Sequence, residues 1–175
     1  MMSITTTTTP PRERWQKGVR TLRLIASARR DIARVRRRPD RCGPACLVTN
    51  LSMMGDVVMS AGIVAALRER LPDSPLFFLC QPRWAELLEG DPAVDGVLGA
   101  RTFFELRALG KSRLFDTLYV LDIPIPDLIH YLDGVPGVFR YGPPTTANWF
   151  LQKRHLVALY EENAGLPEGS TSSRV

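Results

Sequence analysis

The stretch "LVTNLSMMGDVVMSAG" (47–62) places one carboxylate, Asp56, just after a polar, glycine-containing turn that separates two apolar runs. Two kinds of chemistry suit an acid at such a junction. Aspartate is a preferred helix cap, and its charge suits the positive end of the helix macrodipole. A carboxylate at the mouth of a cleft is also a general base, able to take a proton from a substrate hydroxyl. The two roles compete, because a cap engages oxygen lone pairs that a base must keep free toward its substrate. Phosphate binding fits poorly. A dinucleotide site needs G-x-G-x-x-G so that the backbone can approach the pyrophosphate. Here Gly55 stands alone, followed by an acid that repels a phosphate from the helix start.

Other reactive residues lack partners in the pattern. His130 and His155 have no neighbouring groups that would complete a Ser–His–Asp or Cys–His device. Cys42 and Cys46 have a ligand-like spacing, but no second cysteine pair completes a zinc site and the histidines lie far off. Reduced, mostly buried thiols are the reading for these two and Cys80. Asp122 ends an apolar run, where it lines the same cleft or caps the next turn. Arg83 and Trp84 open a helix at a strand end, and Trp84 reads as core packing rather than a sugar platform. Arg101, taken alone, reads as a solvated surface side chain.

The elements that must position these residues alternate. "ACLVTNL" (45–51), "PLFFLC" (75–80), "AVDGVL" (93–98), "LFDTLYVLD" (114–122) and "VPGVFRYG" (135–142) predict strands. Between and after them, residues 56–72, 82–90, 103–112 and 148–165 predict helices, closed by Pro72 and Gly165 at two of their ends. Such alternation predicts a mostly parallel Rossmann-like α/β sheet with covered faces and right-handed crossovers. Ligands of these sheets bind at the carboxyl ends of strands, where the "SMMGD" turn falls.

From the first strand onward, the ordered series resembles the amino-terminal half of the family 9 glycosyltransferases, the heptosyltransferase-like enzymes. The resemblance rests on "LVTNLSMMGDVVMSAGIVAALRERLPDSPLFFLCQPRWAELLEGDPAVDGVL", then "FDTLYVLD" and "RHLVALYEENAGLP", and covers about residues 45–167. It implies the acceptor-side domain of a two-domain GT-B-type enzyme, with Asp56 as catalytic base and Ser52, Met54 and Gly55 shaping an acceptor-binding turn. It also implies a basic contact from Arg101 to an anionic acceptor. Sugar would pass from a nucleotide-sugar donor, as co-substrate, to an acceptor hydroxyl. No cofactor or metal is implied, since helix dipoles and basic side chains can carry the charge of the leaving diphosphate. The chain departs from the family by having "SAG" where a proline is common. It also ends at Val175, where the donor-binding domain is expected to begin.

The net charge of +5 conceals a division. Residues 1–41 carry twelve Lys/Arg against three Asp/Glu, and the rest eleven against fifteen. The expected organisation is a disordered start (1–11), a basic helical arm (12–41), the α/β domain (42–167) and a tail (168–175). The arm's narrow apolar stripe, Val19, Leu22, Ile25, Ile32 and Val35, suits a solvated helix or docking on an anionic membrane face. Nucleic acid is disfavoured by the scarcity of aromatics and the acidic domain behind the arm. Without a secretory signal or a membrane-length apolar run, the expected location is the cytoplasm, extending to the inner membrane face. The expected partners are a donor-binding domain or subunit and a sugar-containing acceptor. Two other readings stay open: a non-catalytic binding module that keeps the half-fold, and an unrelated Rossmann-like ligand binder.

Overall fold

The computed structural model of the protein describes residues 11–121, 132, 134–140 and 156–171. In chain order these form α1 (Pro11–Val35), β1 (Cys46–Thr49), α2 (Met54–Arg70), β2 (Leu76–Cys80), a 3₁₀ helix (Pro82–Leu87), β3 (Gly96–Gly99), α3 (Phe103–Lys111), β4 (Thr117–Val120), β5 (Gly137–Arg140) and α4 (Leu156–Asn163). The five strands are parallel, in the order β3-β2-β1-β4-β5. Leu47 of β1 lies beside Phe77 of β2 and Leu118 of β4. The order reverses between β1 and β4, so the chain leaves β1 at a topological switch point.

Strand residues alternate between two apolar layers. Leu47, Phe77, Leu79, Leu118 and Val120 pack with α1 and α3 on one face. Cys46, Val48, Leu76, Phe78 and Tyr119 pack with α2 and α4 on the other. Every residue of β1 and β2 is buried, which is why both read as unbroken apolar runs.

The basic helix is integral to this sandwich. Ala28, Ile32 and Val35 of α1 are buried in the same core as Leu47, Phe77 and Leu106. Part of the stripe read as an interfacial face is therefore its core face, while Leu22 remains 71% exposed. The boundary expected near residue 41 is a turn between packed elements. Its arginines run into a cluster at the amino ends of the strands. The Asp95 side chain, 4% exposed, receives Arg68 at 2.6 Å, Arg41 at 3.3 Å and Arg38 at 3.4 Å. Asp95 also accepts the Leu76 N–H at 2.9 Å. Beside it, Asp116 accepts the Ala45 N–H at 2.8 Å and pairs with Arg36 at 3.4 Å.

Several boundaries differ from the sequence expectation. The short helix expected over 82–90 is a 3₁₀ helix, Pro82–Leu87, followed by a turn that ends at Gly90 with φ +85°; so short a span suits the tighter winding. β3 starts at Gly96 rather than residue 93, since Asp95 turns its side chain into the arginine cluster. Residues 167–171, expected in the unstructured tail or its approach, lie against α4. There Glu161 accepts the N–H groups of Gly169 and Thr171 and the Thr171 hydroxyl, each at 2.8 Å. Asp122, His130, His155 and the first part of the predicted last helix fall outside the described residues.

Candidate functional site

The turn after β1 is built around Asn50, which is fully buried. Its Nδ2 donates to the Ser60 hydroxyl at 2.8 Å and to the Asp56 carbonyl at 3.2 Å, and its Oδ1 accepts the Ser52 N–H at 3.1 Å. Ser60 donates in turn to the Asp56 carbonyl at 2.8 Å. From the neighbouring strand end, Gln81 Nε2 donates to the carbonyls of Leu51 at 2.6 Å and Ser52 at 3.2 Å. Two side-chain amides thus hold the chain between β1 and α2. Neither was singled out from sequence. Both follow directly on apolar strand runs, a legible signal for residues at the carboxyl edge.

Asp56 is the third residue of α2, not its cap, because the helix starts two residues earlier than expected, at Met54. The carboxylate reaches back, and Oδ2 accepts the Met53 N–H at 3.1 Å. Oδ1 has no partner among the described residues. One carboxylate oxygen thus closes the helix start, while no described residue bonds the other. The Asp56 N–H itself bonds the Met53 carbonyl at 3.1 Å. The N–H groups of Met54 and Gly55 have no acceptor among the described residues, as befits a helix start.

Of the remaining turn residues, Ser52 is half-buried and Met54 is half-exposed at the first helical position. Gly55 is the second residue of α2. It lies within the first turn of α2, lacks a positive φ, and has open space where a Cβ would stand.

Arg101 stands at the carboxyl end of β3, on the same edge. Its backbone is fixed by a capping box in "TFFE" (102–105), a pattern readable from sequence. Glu105 Oε2 accepts the N–H groups of Arg101 at 2.6 Å and Thr102 at 3.1 Å, while Thr102 Oγ1 accepts the Glu105 N–H at 3.3 Å. The Arg101 side chain is exposed and lines a cavity of about 450 Å³ with Gln81, Pro82, Arg83 and Ala100. A second, of about 290 Å³, is bounded by Leu51, Gln81, Arg101 and Phe103. Gln81 therefore joins the Asp56 turn to the arginine-lined space. Arg83 lies over the Trp84 ring, 4.7 Å from its centroid. Trp84 itself packs against the α2 side of the core. Neither Arg83 nor Arg101 has an ion-pair partner among the described residues.

The cysteines are unpaired thiols, with Cys42 exposed and Cys46 and Cys80 buried. Burial pushes the Cys80 thiol up to about 11 and raises that of Cys46 as well. At neutral pH both are protonated core side chains.

A parallel sheet ordered 3-2-1-4-5, with a polar turn at its switch point, defines a Rossmann-like α/β unit. Comparison with solved structures finds the same α/β fold in part of a glycosyltransferase chain. E. coli heptosyltransferase WaaC with ADP superposes with a TM-score of 0.51 at 17% sequence identity, over 71% of this chain and 48% of that one. WaaC with ADP-2-deoxy-2-fluoro heptose gives 0.49 at 13% identity, over 71% and 49%. The glycosyl transferase family 9 protein of Veillonella parvula DSM 2008 gives 0.47 at 17%, over 52% and 29%. The chain thus spans about half the length of WaaC. No protein-family model matches the sequence, and no curated protein matches it significantly.

Proposed function

We propose that this chain supplies the acceptor side of a glycosyl-transfer site, with Asp56 as general base. One observation carries the reading. At the switch point of the sheet, Asp56 has one carboxylate oxygen fixed by the helix start and the other without a partner among the described residues. The acceptor hydroxyl gives its proton to Oδ1 as its oxygen attacks the anomeric carbon of a nucleotide-sugar. The bond from that carbon to the diphosphate breaks, the diphosphate leaves with the electron pair, and Asp56 returns the proton to solvent. Arg101 and Arg83 suit an anionic group on the acceptor, and Ser52, Met54 and Gly55 border its path. The fold likeness to WaaC supports this reading. Because the chain covers about half of that structure, the donor-binding half is assigned to a further domain or subunit. Heptose is the sugar that the family resemblance favours. The chemistry takes place on the cytoplasmic side of the membrane.

The test uses the protein as isolated from its own cells, with whatever it is joined to. Asp56→Asn reduces sugar transfer by about 10²–10⁴-fold, the usual contribution of a general base, while cooperative unfolding is retained. Full turnover in that variant removes Asp56 as base. Native protein that neither binds nor turns over a nucleotide-sugar, alone or with co-purifying partners, replaces the reading with a binding module that keeps the fold.

A further inference from the structure

We infer that the outer surface of the α1/α3 layer is a docking face for an anionic lipid bilayer. Burial divides α1 into two apolar rows. Ala28, Ile32 and Val35 enter the core. Away from it, Trp15, Val19, Leu22, Ala26 and Ala33 recur at steps of four, three, four and seven residues and so share one line along the helix. Trp15 and Leu22 are each 71% exposed. Among the described residues, no member of this second row belongs to either core cluster, although Val19 is half-buried.

The charges around the row all have one sign in effect. Arg23, Arg29 and Arg30 flank it, are exposed, and have no ion-pair partner among the described residues. The nearby acids are already engaged: Glu13 lies 4.0 Å from Lys17, and Asp31 pairs with Arg34 at 2.7 Å. The neighbouring helix continues the pattern. On α3, Phe104, Arg107 and Lys111 are exposed at steps of three and four residues, while its acid, Glu105, is turned inward. The opposite layer differs, presenting Glu69, Glu162 and Glu168 as exposed acids.

An apolar row containing tryptophan, bordered by unpaired arginines, fits the boundary between headgroups and acyl chains. Arginine stems reach along the apolar surface while their heads meet lipid phosphates. No described helix is long and apolar enough to cross a membrane, so the layer lies on the bilayer. Nucleic acid fits less well, since an exposed apolar row has no counterpart in a phosphate-lined duplex. The inference does not depend on Asp56 or on glycosyl transfer.

Flotation with phosphatidylglycerol-containing phosphatidylcholine vesicles tests it. At low salt the protein floats with these vesicles and stays behind with phosphatidylcholine alone; added salt weakens the attachment. Each arginine removed in the series Arg29→Gln, Arg30→Gln, Arg107→Gln lowers partitioning by about fivefold. Leu22→Ser weakens attachment, whereas Val58→Ser, an exposed apolar site on the opposite layer, does not. Vesicle binding shifts tryptophan emission to the blue, and Trp15→Phe removes the shift while the protein still floats. Equal flotation with both vesicles, insensitivity to the arginine series, or a blue shift that survives Trp15→Phe overturns the inference. So does duplex DNA that displaces the protein from vesicles and binds more tightly than they do. A dimer in sedimentation that buries Trp15 also overturns it.

Discussion

The two ends of the sheet use the same residue types to opposite purpose. At the amino ends of the strands, Arg38, Arg41 and Arg68 converge on a nearly buried carboxylate, Asp95, whose oxygens also receive backbone N–H. At the carboxyl ends, Arg83 and Arg101 have no carboxylate among the described residues and border open space. There the turn is held by the neutral amides of Asn50 and Gln81, and Asp56 has one oxygen without a partner among the described residues. Satisfied charge locks one edge. At the other edge, charge with no ion-pair partner among the described residues stands beside neutral hydrogen bonds, the arrangement on which the proposed site rests.

This contrast is breakable. The largest effect on activity is expected from Asp56→Asn, through transfer by the native protein as described above. The largest effect on folding is expected from Asp95→Ala. It leaves three guanidinium groups without their shared acceptor and costs on the order of 3–5 kcal/mol, as when one partner of a buried pair is removed. Chemical denaturation reads this directly, and a loss below about 1 kcal/mol, within the range of exposed ion pairs, would erase the distinction between the edges. Arg101→Ala sharpens the contrast from the other side. Its stability change stays within about 0.5 kcal/mol, as for an exposed side chain outside the core. Gly55→Ala is expected to stabilise α2 by roughly 0.5–1 kcal/mol, because the site is helical and open around Cβ. If the turn borders the acceptor path, the same methyl reduces transfer, so stability and turnover move in opposite directions.

Much of the architecture was legible because its signals are local. The buried runs of β1 and β2, the alternation with helices and the lone acid after β1 are all visible in the chain. What could not be read depends on pairs distant in sequence. Nothing near "AVDGVL" reveals that Asp95 meets arginines 57 and 54 residues earlier, at Arg38 and Arg41. Likewise, the spacing of Val19, Leu22, Ile25, Ile32 and Val35 shows an apolar stripe but not which members a sheet will cover. The start of α2 was misplaced because Met53 and Met54 carry no capping signal, whereas Asp56 imitates one. Aspartate at the third helical position reaches back to the same end of the helix, so charge alone does not separate the two positions.

The smallest expected effect concerns the terminal segment beside α4. Burial raises the Glu161 carboxyl, but the hydrogen bonds from Thr171 and Gly169 outweigh it and hold the group below the ordinary glutamate range. A carboxyl lowered in the folded state contributes stability that is present above its unfolded value. That contribution is lost as pH falls through the folded value. Since all three bonds converge on one side chain, protonation should loosen residues 167–171 before the sheet responds. The Thr171 amide resonance should therefore move on the acid side of the ordinary glutamate range while β1 and β2 signals hold. Glu161→Gln should remove that titration and leave the segment more weakly attached at neutral pH. A midpoint at or above the ordinary glutamate range would show that the three donors do not overcome burial. The segment's attachment would then rest on packing of Thr171 against Gly62, whose Cβ would lie 3.6 Å from it.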